Sequence, residues 1–236
     1  MTASTRPARS PARIAVALDT ADEGRLVELA AALAGEADVL KVGLQAVTAL
    51  GPRAIRLAAE HAPVFCDLKL HDIPSTVAGA AAAVADHGAS MLTVHASGGS
   101  AMVAAAVQAA PTVDVLAVTV LTSSDDALLA DLGMDGADVV VPRLALRAVA
   151  AGAAGIVCAG REVATVRGVV EDTTVLVVPG VRPEGAAVHD QARVVTPRAA
   201  VDDGADLLVV GRPVTQADDP VAAIRAIRQQ VTAEGA

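Results

Sequence analysis

The chain has 236 residues, 53% hydrophobic and 19% charged, with a formal net charge of −9, one Phe and no Tyr or Trp. An acidic chain without stacking aromatics excludes a general nucleic-acid or membrane-surface partner, because phosphate affinity needs clustered Lys and Arg and single strands need aromatic platforms. The length suits one large α/β domain, and charges interrupt each apolar run before the roughly 18 residues needed to cross a bilayer, so the chain reads as soluble.

The opening MTASTRPARSPAR carries Arg, Ser and Pro but no acid and no apolar stretch. It fails as a secretory signal, and residues 1–12 read as a disordered tail. Beyond it, short runs rich in Val, Ile and Leu alternate with Ala-rich stretches. Strands are expected at IAVAL (14–18), DVLKV (38–42), VFCDLK (64–69), MLTVH (91–95), VLAVTVL (115–121), GIVC (155–158), VLVVP (175–179) and DLLVVG (206–211). Helices are expected at 23–34, 44–61, 75–87, 99–109, 136–151, 161–170, 197–203 and 219–232. Eight strand–helix units with no composition break predict a single domain over 13–236, closed as a (β/α)8 TIM barrel. A doubly wound open sheet shows the same alternation and stands as the alternative.

The polar residues fall at one end of this pattern. Asp19 follows the first strand, Lys41 ends the second, Asp67 and Lys69 end the third, His95 the fourth and Thr122 the fifth, while Arg182 follows the seventh and Gly211 and Arg212 the eighth. All are C-terminal strand ends, where barrel active sites are built.

The segment CDLKLHDIPST (66–76) places Asp67, Lys69, His71 and Asp72 within six residues of an otherwise apolar region. Residues two apart on a strand share a face, so Asp67 and Lys69 are expected to point into the barrel and Cys66, Leu68 and Leu70 away from it. Asp-x-Lys by itself describes a structural ion pair as well as a catalytic one. Lys41 on the neighbouring strand brings a second ammonium to the same mouth. Alternating ammoniums and carboxylates suit proton transfer or decarboxylation, each charge aiming and stabilising its neighbours. They do not suit a Schiff-base lysine, which needs apolar or cationic surroundings.

A second constellation is VPGVRPEGAAVHDQ (178–191) followed by VVGRPVT (209–215). Loops after strands seven and eight are the phosphate corner of this barrel, and here they offer Arg182, Gln191, Gly211 and Arg212. Exposed Arg-Pro turns are the plainer reading of either arginine alone. His71 and His95 with Asp67 and Asp72 raise a metal, but Lys41 and Lys69 stand where the cation would go, so no metal is expected. His95 reads instead as a hydrogen-bonding residue at a tight turn. Cys66 and Cys158 match no metal or CxxC spacing and read as reduced cytoplasmic thiols.

Taken in order, IAVALD, KVGLQ, DLKLHDIPST, VHASGG, VTVLTS, PGVRP, DQARVVTP and VVGRPVT resemble the bacterial orotidine 5'-phosphate decarboxylases over nearly the whole chain. The resemblance implies cofactor-free conversion of orotidine 5'-monophosphate to UMP in pyrimidine synthesis. It implies a charged tetrad of Lys41, Asp67, Lys69 and Asp72 with Lys69 as proton donor, Asp19 on the ribose, Thr122 on the pyrimidine, and Arg182, Gln191, Gly211 and Arg212 on the phosphate. It further implies a homodimer in which Asp72 and Thr76 reach the neighbouring active site. Ser75 stands where the family pattern leads one to expect Asn.

Two other readings stay open. Mg2+-dependent keto-sugar phosphate decarboxylases and hexulose phosphate synthases share Asp-x-Lys-x-x-Asp, but their chemistry needs a carboxylate near the end of the second strand, where this chain has Lys41. A non-catalytic phosphate-binding barrel is the third, against which stands the cost of burying lysines and aspartates together.

Overall fold

Parallel strands covered on both faces are near-continuous runs of branched apolar residues, and all eight expected runs form such strands in the computed structural model, which describes residues 11–182 and 195–232. The elements begin β1 (Arg13–Ala17), α1 (Glu23–Ala32), β2 (Val39–Gly43), α2 (Leu44–Leu50), α3 (Arg53–Ala59), β3 (Val64–Leu70) and α4 (Pro74–Asp86). They continue with β4 (Met91–His95), α5 (Ser100–Ala109), β5 (Asp114–Val118), α6 (Asp126–Asp131), α7 (Ala137–Ala150), β6 (Gly155–Val157) and α8 (Val163–Arg167). Last come β7 (Val175–Pro179), α9 (Pro197–Asp202), β8 (Leu207–Val210), α10 (Arg212–Thr215) and α11 (Pro220–Thr232).

Each strand pairs in parallel with the next, and β1 pairs with β8 from Arg13↔Leu207 to Val16↔Val210. That pairing closes the barrel, leaves no open edge, and decides against the doubly wound sheet. Alternation along the strands builds two cores. Ile14, Val16, Leu40, Cys66, Leu92, Leu176 and Leu208 face the helical ring and belong to its large apolar cluster. Ala15, Val39, Phe65, Met91, Leu116, Val177 and Leu207 fill the barrel interior, with the single Phe among them.

Local departures from the expected elements have identifiable causes. The helix expected over 44–61 is two helices, because Gly51 takes φ 65° and Pro52 brings no amide to continue the ladder. A short helix, α6, precedes α7 and was not legible from periodicity over its six residues DALLAD; Asp125 caps it by accepting from the Leu128 amide at 2.9 Å. β5 ends at Val118 rather than 121, with Thr119 turning its hydroxyl to donate to Val157 O at 3.1 Å. Residues 1–10 of the expected tail lie outside the described residues, and Ala12 is already buried in the outer core.

Candidate active site

The inward register that fills the barrel with Val39, Phe65 and Met91 places Lys41, Asp67 and Thr93 one step higher, two residues further along β2, β3 and β4. Above the apolar plug the interior therefore becomes polar. Here it opens as a cavity of about 310 Å³ whose lining includes Asp19, Lys41, Asp67, Lys69, Thr122, Arg182, Gly211 and Arg212. Seven strand ends contribute to it, as the C-terminal face of this fold allows.

The charges form a continuous line. Lys41, 8% exposed, has its Nζ 3.2 Å from Asp19 Oδ1 and 3.4 Å from Asp67 Oδ2. Asp67 Oδ1 accepts from Lys69 Nζ at 2.8 Å and from the Thr93 hydroxyl at 2.9 Å. Burial alone would push the Asp67 carboxyl up, but Lys41 and Lys69, with the hydrogen bonds from Lys69 and Thr93, outweigh it and hold it below the usual carboxylate range. Gly43 leaves room for this arrangement: a Cβ there would lie 3.0 Å from Asp19 Oδ1 and 3.1 Å from Lys41 Nζ.

Lys69 stands in an unusual backbone. Its φ of 50° is the one positive value at a non-glycine residue among the described residues, a conformation costing on the order of 1 kcal/mol. Leu68 and Leu70 pack against the outer core, as expected, so the lysine still faces the cavity, through a bulge rather than regular alternation. Its side chain is 31% exposed and reaches into the open space.

On the far side, Arg182 follows β7, is 6% exposed, and has a buried Nε without a hydrogen-bond partner among the described residues. A buried donor left open on a cavity wall suits an incoming anion. Gly211 precedes the four-residue helix α10, which Arg212 begins. Gln191 lies outside the described residues. Asp72 and Thr76 do not line this cavity: both are exposed, Asp72 accepting from the Ile73 amide at 2.6 Å and Thr76 lying in the first turn of α4.

Residues 12–227 match the model of the orotidine 5'-phosphate decarboxylase / HUMPS family. The chain belongs to this family. It is 57% identical over 218 residues to the orotidine 5'-phosphate decarboxylase of Anaeromyxobacter sp. (strain K), covering 91% of this chain and 96% of that one. The orotidine 5'-phosphate decarboxylase of Thermobifida fusca (strain YX) is 53% identical over 229 residues, covering 95% and 98%. A solved orotidine 5'-phosphate decarboxylase structure from Lactobacillus acidophilus is similar at TM-score 0.83 and 35% identity, covering 95% of this chain and all of that one (100%).

Three features of this family member escaped the sequence reading. Thr93 is wholly buried and bonded to Asp67; its place in MLTVH, two residues after inward Met91, was the available signal. Cys158 borders the cavity, its thiol pushed up by burial first and then by Glu162. His71 and His95 sit ring against ring with centroids 5.3 Å apart. Burial, then His71 and Lys69, hold the His95 imidazole below its ordinary value against the opposing pull of Asp67. No group of three or more metal-ligating side chains occurs among the described residues.

Proposed function

We propose that the chain converts orotidine 5'-monophosphate to UMP and CO2 in pyrimidine synthesis, with no cofactor or metal in the reaction. The observation that carries this reading is the Asp19–Lys41–Asp67–Lys69 line, which ends on an ammonium directed into the cavity at the barrel mouth. Breaking the bond from C6 to the carboxylate leaves an electron pair in an sp2 orbital at C6, orthogonal to the ring π system. No ring position can accept that charge. The Lys69 ammonium takes the place of an electron sink, stabilising the developing pair and then donating its proton to C6. Against the opposing effect of burial, the charges of Lys41 and Lys69, with the hydrogen bonds from Lys69 and Thr93, hold Asp67 ionised, and its negative charge disfavours the substrate carboxylate more than neutral CO2.

Asp19 is assigned to the ribose hydroxyls, Thr122 to the pyrimidine, and Arg182, Gln191, Gly211 and Arg212 to the phosphate. Phosphate contacts far from C6 supply binding energy that closes the site and excludes water. Asp72 and Thr76 are assigned to the active site of a second copy of the chain, which agrees with their exposure and with their absence from the lining of this cavity. The working form is then a homodimer. No helix among the described residues is long and apolar enough to cross a membrane, and we place the enzyme in the cytoplasm.

Lys41 also bears on the Mg2+-dependent relatives, since its ammonium occupies the oxygens of Asp19 and Asp67 that a cation would need. The test is to follow UMP formation from orotidine 5'-monophosphate in EDTA, beside a keto-sugar phosphate supplied with Mg2+. Turnover of the nucleotide in EDTA is the expected result; turnover confined to the sugar phosphate with Mg2+ would overturn the reading.

A further inference from the structure

We infer that Thr93 is a positioning residue for the proton donor: its hydroxyl organises the β3 bulge so that the Lys69 ammonium and the Asp67 carboxylate meet at the cavity wall. The inference rests on the proposed roles of Lys69 and Asp67 and adds the residue that sets their mutual geometry.

The register between β3 and β4 shows what the hydroxyl replaces. Cys66 pairs with Leu92 and Leu70 with Val94, so three residues of β3, Asp67 to Lys69, face the single residue Thr93. In an unbroken parallel ladder those amides and carbonyls would find backbone partners. The bulge removes them, and a side chain fills the gap. Thr93 Oγ1 accepts from the Lys69 amide at 2.9 Å and donates to Asp67 Oδ1 at 2.9 Å. One hydroxyl thus has its donor and an acceptor lone pair engaged with the two residues whose side chains meet at 2.8 Å.

The two bonds constrain different things. The one from the Lys69 amide stabilises φ 50°, a backbone that a non-glycine residue keeps only when its surroundings over-determine it. The one to Asp67 fixes the rotation of the carboxylate, so that Oδ1 faces Lys69 while Oδ2 faces Lys41. Thr93 itself has no exposure and is not part of the cavity lining, so it acts through its neighbours and does not touch substrate. Its hydrogen bond is also among the causes that keep Asp67 ionised.

Serine keeps the hydroxyl, and valine keeps the shape without it. Thr93→Val is expected to lower kcat by about 10²-fold, the scale of a displacement near 1 Å in a reacting group. KM and the affinity for UMP should change little, because the phosphate and ribose contacts lie on other strands. Thr93→Ser should restore most of kcat. A Thr93→Val enzyme with unchanged kcat, a matched loss in Thr93→Val and Thr93→Ser, or a fall expressed in KM alone would each overturn the inference. So would a Thr93→Val chain that fails to fold beside a normal Thr93→Ser chain, since the hydroxyl would then serve the barrel and not the donor. Wild-type enzyme run in parallel separates the two readings: no decarboxylation by the wild type refutes the proposed function, whereas normal wild-type turnover with an indifferent Thr93→Val refutes only the role of Thr93.

Discussion

Ionic clusters occupy both ends of the barrel, and they are built differently. At the foot, where the strands begin, Arg167 is 4% exposed and its Nη2 lies 2.6 Å from Asp206 Oδ2. Arg167 Nη1 donates to the Glu171 carbonyl, Nη2 donates also to the carbonyls of Thr174 and Gly204, and Asp206 accepts in addition from the Leu176 amide at 2.7 Å. These bonds end on protein atoms and tie the starts of β7 and β8 to α8. At the mouth, flexible lysines replace the arginine, and the Lys69 ammonium has Asp67 as its one hydrogen-bond partner among the described residues while its side chain stays 31% exposed to a cavity. The same pairing of cation and carboxylate joins elements at the foot, where it lies away from the cavity, and is proposed to serve chemistry at the mouth, where the ammonium meets open space.

The sharpest way to test that difference is complementation. Lys69→Ala and Asp72→Asn should each be inactive alone, yet mixing the refolded chains should restore activity, because one site of each mixed dimer has both an intact lysine and an intact aspartate from its neighbour. No recovery would confine Asp72 to its own chain. Arg167→Ala, by contrast, should lose stability and not activity, and mixing with another chain should not repair that loss, since the partners of Arg167 among the described residues lie in its own chain.

Arg167→Ala should lower unfolding stability by about 1–3 kcal/mol, the cost of leaving buried and part-buried acceptors without their donor, while kcat per folded molecule in mild conditions stays unchanged. A large fall in kcat would show that foot and mouth are coupled. Arg182→Ala should do the reverse, weakening UMP binding by about 1.5–3 kcal/mol, one charge-assisted contact, with a smaller loss of stability than Arg167→Ala. Titration calorimetry and urea denaturation read the two quantities separately.

The smallest effect is acid sensitivity at the mouth. His95 has its proton affinity depressed in the folded chain, so the unfolded chain binds the proton first as pH falls. Its contribution to stability is complete above the unfolded value near 6.5 and is lost as pH drops from there toward the folded value. His95→Gln should flatten the change in denaturation midpoint between pH 8 and 5.5. A slope unaffected by this substitution would place the titrating group elsewhere.

The barrel was legible in the sequence because buried parallel strands leave continuous runs such as VLVVP, whose period and spacing survive any detail of packing. Lys41, Asp67 and Lys69 were legible for the same reason, as polar residues at the ends of those runs. What period-two reasoning could not supply was the bulge: it placed Lys69 on the correct face but carried no sign of φ 50° or of Thr93 beneath it. The Gly51-Pro52 break was visible as residue types yet concealed by an apolar pattern running through it. Asp72 and Thr76 mark a different boundary, for a site proposed to be shared between chains cannot be completed from one chain's alternation of strands.

If the Lys69 ammonium replaces an electron sink at C6, as proposed, the decarboxylation rate of Lys69→Ala beside wild type in EDTA must show it. The prediction is rapid loss of orotidine 5'-monophosphate absorbance with wild type and a rate at least about 10⁴-fold lower with the variant, at similar UMP affinity and melting temperature. A variant that keeps a rate within a factor of about ten, one 1.4 kcal/mol step in barrier height, would contradict it.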